Sequence, residues 1–198
     1  DFPDALVNLG NALREQNKLA DSEAALRRAI AVRPDGIRGY NALATVLNDQ
    51  GRLHEAIAVL DLAQALRPDE TDTRELRAFI LLLQGRLREG WLASEARFES
   101  RQGRADRRNF TQPCWRGEAL DGRTILLHAE QGVGDTIQFL RYIPLVAERG
   151  GRVILEVPPG LLPLLKDFPK VAQLVAQGDA LPDFDCYCAL LSLPHRFD

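Results

Sequence analysis

The chain has 198 residues, of which 45% are apolar and 27% charged, and its formal net charge is −3. That is an ordinary globular composition, long enough for one or two domains with real cores. The near-neutral balance excludes a general nucleic-acid footprint, no apolar run approaches the roughly 20 residues of a membrane helix, and no signal peptide is visible. Among the 25 basic residues all but Lys18, Lys166 and Lys170 are Arg. Cys114, Cys186 and Cys188 form no spaced framework, which implies a reducing compartment. The chain starts at Asp1 and contains no Met, so it reads as a piece of a longer protein.

The first half is periodic. Pro34 and Pro68 are 34 apart, and Asn17, Gly51 and Gly85 keep that spacing, as do Leu13, Leu47 and Leu81, and Leu19, Leu53 and Leu87. This period with apolar residues at helical spacing is the signature of the tetratricopeptide repeat, a stacked helix pair. Residues 1–103 therefore read as a repeat arm of about three helix pairs. Gly10, Ala44, Ala56 and Ala63 let helices approach, Pro34 and Pro68 end the second helices, and Gly51 and Gly85 turn the chain within a pair. The third pair departs from the pattern. Arg74 and Arg77 stand where the second pair is aromatic or apolar, and Gln102 stands where Pro is expected. Its second helix is expected over about 87–101, with Trp91 and Phe98 on one face that docks onto the next domain.

The first helices of such an arm line a groove. Asn11, Arg14, Asn41, Thr45 and Asn48 fall on that face, and side-chain amides suit a peptide backbone. A solvated helix face would look the same.

Residues 104–122 read as an exposed connector whose Arg104, Arg107 and Arg108 face water, or touch phosphate or an acidic partner, with Trp115 packed on one domain. From 123 to 198 the pattern alternates. Strands are expected at 124–128, 152–157, 171–175 and 184–190, a helix at 135–149 kinked by Pro144, and a helical stretch at 159–167. The fold class is thus α-helical repeats followed by a partial Rossmann-like α/β domain with a mostly parallel sheet. Cys186 and Cys188, two apart on a strand, share a buried face, and no Cys or His pair nearby completes a metal site.

Gly132, Gly134 and Asp135 lie where the first strand feeds the first helix, at the carboxyl end of the sheet where ligands bind. The glycines permit a tight turn or the close approach of a ligand. Asp135 fits an N-cap, with Gln138 three residues on completing a capping box, and it equally fits a cleft carboxylate that takes a proton from a substrate hydroxyl. His128 ends the strand beside the turn, where it lines the cleft or packs, and His195 could reach the same edge. A dinucleotide fingerprint competes. Gly132 and Gly134 supply two of its glycines and Glu156 its ribose-binding acid, but Ile137 occupies the third small position. Asp183-Phe184-Asp185 has the D-x-D form that some sugar transferases use for a metal, a pattern short enough to arise by chance.

Together, Arg33-Pro34-Asp35, Arg67-Pro68-Asp69, Gly90-Trp91, the segment 113–118, the segment 128–142 (HAEQGVGDTIQFLRY) and Leu190-Leu191-Ser192-Leu193-Pro194 resemble bacterial tetratricopeptide-repeat proteins that carry a glycosyltransferase-like domain of the GT-B type. The glycine turn is also similar to that of lipopolysaccharide heptosyltransferases. The plan of arm plus α/β unit resembles protein O-GlcNAc transferases, although Asn8 has Ala42 and Leu76 in register and no asparagine ladder runs along the arm.

The resemblance implies transfer of a sugar from a nucleotide-sugar donor to an acceptor hydroxyl, without a metal or a covalently bound cofactor. Asp135 would be the base, Gly132 and Gly134 the backbone that admits substrate, and Gln131, Gln138, Arg141 and His128 its supports. A protein or peptide would occupy the groove, and the setting would be the bacterial cytoplasm. A GT-B enzyme closes its site with a second domain that binds the donor. These 198 residues alone are therefore expected to be inactive. A non-catalytic interaction module and a dinucleotide-dependent oxidoreductase remain the alternatives.

Overall fold

The computed structural model describes residues 2–99, 108 and 110–197. Gln102, Arg104 and Arg107 lie outside the described residues. The chain divides into two compact units, Asp1–Ala105 and Asp106–Asp198.

The first unit holds three helix pairs among the described residues: α1 (Pro3–Glu15) with α2 (Leu19–Val32), α3 (Ile37–Asp49) with α4 (Leu53–Leu66), and α5 (Thr71–Leu83) with α6 (Leu87–Ser94). Corresponding helices start 34 residues apart, as the period requires. Within each pair the turn needs one left-handed residue, and Asn17, Gly51 and Gly85 supply it at φ 59°, 74° and 75°. Between pairs, Arg33 (φ −135°, ψ 86°) and Arg67 (φ −140°, ψ 90°) leave the α region, as residues before proline do.

Close helix contact comes from small residues at fixed positions. A β-carbon at Gly10 would lie 2.5 Å from Leu26, and one at Gly90 would lie 2.6 Å from Leu82. Ala44, Ala56 and Ala63 are fully buried. Ser22, in register with Ala56 and Gly90, is buried too, and its hydroxyl donates to the Gly10 carbonyl at 2.6 Å. The apolar residues around them, including Val7, Leu26, Leu43, Leu47, Leu60, Ile80 and Leu81, form a continuous core through the three pairs.

The repeats are also clasped by charge. Glu23 on α2 accepts from Arg52 at 2.7 Å and Gln50 at 3.0 Å, both in the α3–α4 turn, and from Arg27 at 2.7 Å on its own helix. Burial raises the pKa of this carboxyl, but the hydrogen bonds from Arg27, Gln50 and Arg52 outweigh it and hold the group below its ordinary 4.5.

The third pair ends differently from expectation. In place of one helix over 87–101, α6 stops at Ser94 and a 3₁₀ turn follows at Glu95–Glu99. Ser94 Oγ donates to the Trp91 carbonyl at 2.7 Å and Arg97 donates to the Ser94 carbonyl at 3.1 Å, so side chains take acceptors that a continuing helix would use. Arg74 and Arg77 are absorbed by ion pairs, with Glu99 and with Asp61.

The second unit is built on a four-stranded parallel sheet of order β3-β2-β1-β4, with β1 (Thr124–His128), β2 (Arg152–Val157), β3 (Val171–Ala176) and β4 (Cys186–Ala189). Leu126, Ile154 and Val175 line one face, packed by Phe110, Leu181, Phe184 and Tyr187. Ile125, Leu127, Val153, Leu155, Cys186 and Cys188 alternate with them and are fully buried. Burial pushes the Cys186 thiol up to about 11, which makes it unreactive.

The helix expected over 135–149 is three pieces: α7 (Val133–Phe139), a 3₁₀ turn (Leu140–Tyr142) and α8 (Ile143–Ala147). Pro144 does not kink a helix. It sits in the first turn of α8, where no partner for its missing N–H is needed. The stretch at 159–167 is a 3₁₀ turn followed by α9 (Leu162–Leu165), and β4 is shorter than 184–190 because Leu190–Ser192 turns into α10 (Leu193–Arg196).

The connector is described from Phe110 onward, apart from Arg108, and much of it is built into the sheet. Trp115 N–H donates to the Tyr187 carbonyl at 2.8 Å and Tyr187 N–H to the Pro113 carbonyl at 3.2 Å, which covers the edge of β4. Trp115 and Leu120 are fully buried, and the indole N–H donates to the Glu118 carbonyl at 2.8 Å.

Two predictions follow from the arm. Gly51→Ala places a β-carbon on a left-handed residue in open space, so conformation alone should destabilise it, by roughly 1–2 kcal/mol. Asn17→Gly at the equivalent turn should not, and urea unfolding of the two variants checks the contrast. Glu23 has a depressed folded-state pKa, so its contribution is full above the unfolded value near 4.5 and is lost as pH falls through the folded value. The stability gap between wild type and Glu23→Gln should therefore stay constant above about pH 5.5 and shrink below it, as unfolding across a pH series would show.

Candidate functional site

Strand order locates the site before any residue is considered. From β1 the chain steps outward to β2 and β3, then returns to the other side of β1 as β4. The direction of winding reverses between β1 and β4, and in open parallel sheets the crevice outside the carboxyl ends at such a point is where ligands bind. Here the crevice is bordered by the loop from Ala129 to Gly132 and by the 3₁₀ turn at Leu190–Ser192, against which α7 packs.

The glycine turn stands at that edge. Gly132, not Asp135, is the N-cap of α7, and no side chain caps it. Asp135 lies three residues in, half-buried, with Oδ2 3.4 Å from where a Gly132 β-carbon would sit. The expected Asp135–Gln138 capping box is absent because α7 begins three residues earlier than its polar residues suggest. Neither Gly132 nor Gly134 has positive φ, and a β-carbon at Gly134 would meet nothing within 4 Å. A tight turn therefore does not require these glycines. What they leave is open space beside the backbone. Gln131 and Gln138 are exposed, and Arg141 is exposed with its guanidinium 5.2 Å from the Tyr142 ring centroid. Val133 and Ile137, on one face of α7, are 51% and 46% exposed.

The neighbouring strand ends are polar and buried. His128 pairs in register with Glu156, two positions along from Leu126 and Ile154 on the same face. His128 is 5% exposed, between the rings of Phe110 and Tyr187 at centroid distances of 6.1 and 6.0 Å. Glu156 is fully buried, and both its oxygens accept from Arg108 Nη2 at 2.8 Å. Gln177, after β3, donates to the Ala129 carbonyl at 2.8 Å and so ties the ends of β3 and β1 together. His195 lies on α10 and is half-buried. Asp185 accepts from Thr124 N–H at 2.7 Å, and among the described residues no group of three or more His, Cys, Asp or Glu could hold a metal ion. No helix among the described residues is long and apolar enough to cross a membrane.

The residues expected in the groove of the arm are used unevenly. Asn41 accepts from the buried Thr73 hydroxyl at 2.9 Å and lines a surface cleft with Arg38, Arg67, Glu70 and Asp72. Thr45 donates to the Asn41 carbonyl at 2.9 Å, and Arg14 pairs with Asp49 at 2.5 Å. Asn11 is exposed and Asn48 half-buried. The next residue in register with Asn11 and Thr45 is Phe79, 51% exposed, so the face turns apolar in the third pair.

Residues 7–71 match the family model described as Tetratricopeptide repeat. The first unit is a tetratricopeptide-type repeat array. Protein FlbA of Caulobacter vibrioides is 35% identical over 86 residues, a match that covers 41% of this chain and 14% of that protein. Among solved structures, the first repeat domain of Spaghetti (RPAP3) bound to an HSP90 peptide has a TM-score of 0.47 at 18% identity, over 49% of this chain and 77% of that one. The Thermobaculum terrenum O-GlcNAc transferase also has a TM-score of 0.47, at 14% identity, over 87% of this chain and 41% of that one.

The Arg108–Glu156 pair was not expected from sequence. The available signal was one acid closing an otherwise apolar strand, Val153-Ile154-Leu155-Glu156-Val157, since a carboxylate in such a run needs a partner. Arg108→Ala should destabilise the α/β unit by about 2–3 kcal/mol, because it strands a buried carboxylate. The paired replacement, Arg108→Met with Glu156→Leu, should stay within about 1 kcal/mol of wild type, and urea unfolding distinguishes the two.

Proposed function

We propose that this chain supplies the repeat arm and the acceptor-side α/β half of a glycosyltransferase of the GT-B type. The reaction is transfer of a sugar from a nucleotide-sugar to an acceptor hydroxyl. Asp135 takes the hydroxyl proton, Gly132 and Gly134 keep the backbone open to substrate, and Gln131, Gln138 and Arg141 surround it, while His128, packed between Phe110 and Tyr187, supports the strand end. A second α/β domain supplies the donor site. The arm holds the protein partner or the polypeptide acceptor through Asn11, Arg14, Asn41, Thr45 and Asn48.

The observation that carries this assignment is the unused space at Gly134. The residue is helical, has ordinary dihedral angles and faces nothing within 4 Å, so neither folding nor packing explains a glycine there. Close approach of a ligand to the backbone does. The exposed Val133 and Ile137 beside it suit a covering domain. A dinucleotide role is disfavoured because Glu156, which would bind the ribose, is buried with both oxygens taken by Arg108. A non-catalytic interaction module draws on the repeat match and on the Asn41 cleft.

Gly134→Ala separates these roles. Alanine in the first turn of a helix should leave stability unchanged or raise it by up to about 1 kcal/mol. Donor-dependent sugar transfer by the full-length parent should nevertheless fall at least tenfold, and Asp135→Asn should fall further. Transfer that survives both substitutions in folded protein would remove the glycine turn from the chemistry. Peptide binding with no transfer from any nucleotide-sugar tested would favour the interaction module.

A further inference from the structure

We propose that Arg108, fixed from beneath by Glu156, is an oxyanion-binding residue at the carboxyl edge of the sheet, and that it takes a phosphoryl group of the ligand. The inference rests on the assignment of this edge as the ligand-binding edge, but not on sugar transfer itself.

Three observations converge on Arg108. Its Nη2 is committed to both oxygens of Glu156, while its Nε and Nη1 hydrogens meet no acceptor among the described residues. Its side chain is 35% exposed although its partner is fully buried, so the charged pair has a dry inner end and an open outer end. It also stands at the end of β2, one strand from the glycine turn, with its guanidinium carbon 5.9 Å from the Phe110 ring centroid.

Stability does not account for such a pair. Two apolar residues of similar volume would fill the inner position as well, without the desolvation of a carboxylate. What the carboxylate adds is orientation. Anchored through Nη2, the planar guanidinium keeps a fixed set of charged N–H donors, on Nε and Nη1, available to phosphoryl oxygens. Lysine on a flexible stem would not do this. Position favours phosphate over a neutral polyol for the same reason, since the outward donors are all N–H and carry positive charge. Glu130 and Asp135 belong to the β1 side of the edge, so the anion belongs on the β2 side, away from the proposed base.

The test is direct binding by the 198-residue chain, with calorimetry and shifts of backbone amide signals, at constant ionic strength set with chloride. The probes are pyrophosphate, uridine diphosphate and glucose 6-phosphate. Wild type should bind pyrophosphate, with the largest shifts at the ends of β1 and β2. Arg108→Lys, which keeps the charge against Glu156, should bind about tenfold more weakly. The paired Arg108→Met and Glu156→Leu protein should not bind. Tighter binding of uridine diphosphate than of glucose 6-phosphate assigns the site to a nucleotide-sugar donor, and the reverse assigns it to a phosphorylated acceptor. Equal affinity across wild type and both variants, or no binding by folded wild type at millimolar pyrophosphate, overturns the proposal. Neither of these results bears on transfer measured with the full-length parent, so the two assignments fail separately.

Discussion

Everything in the α/β unit depends on β1 being paired on both sides. Its register with β2 and with β4 buries every side chain from Ile125 to His128. That constraint forces the winding to reverse beside it, which puts the crevice at its carboxyl end and the glycine turn at the crevice. The connector serves the same strand. By bonding to β4 through Trp115 and placing Phe110 over Leu126, it covers one edge and one face that would otherwise be wet. The residues before β1 are therefore part of the site's scaffold.

The arm obeys a different logic. Each helix pair contacts its neighbours, so stability is approximately a sum of local terms repeated every 34 residues. Gly10, Ala44 and Ala78 hold one position in register, and Ser22, Ala56 and Gly90 another, and both positions are buried. The charged clasp around Glu23 adds a neighbour term at the surface of the same interface. Register also explains the change of character along the groove. The face that carries Asn11 and Thr45 carries Phe79 in the third pair, where Arg74 and Arg77 are tied into ion pairs.

The elements that repeat, or that one residue type dictates, were legible in the sequence. The period, the left-handed turns at Asn17, Gly51 and Gly85 and the prolines after α2 and α4 each have a local cause. The strands of the second unit were legible as apolar runs between turns, with ends uncertain by a residue or two. What was not legible depended on competition between local preferences or on distant partners. Ser94 stops α6 by bonding back to Trp91, although the residues after it are good helix formers. Asp135 has the chemistry of a cap, but Gly132 takes that place because α7 starts earlier. Glu156 finds Arg108 across 48 residues, a pairing with no periodic signal.

The two polar features of the carboxyl edge differ in what a fold alone would select. A buried core needs shape and volume, and most of this sheet is met by Leu, Ile and Val alone. Gly134 gives up helix propensity with nothing packed against it, and Glu156 gives up hydration at a strand end where an apolar residue would fit. One lies in the first turn of the helix that follows β1 and the other at the end of β2, both toward the carboxyl edge of the sheet. Stability is sacrificed locally where geometry has to be held for something outside the fold. The proposed ligand would therefore be read by shape at the emptied backbone on the β1 side and by charge at the guanidinium on the β2 side.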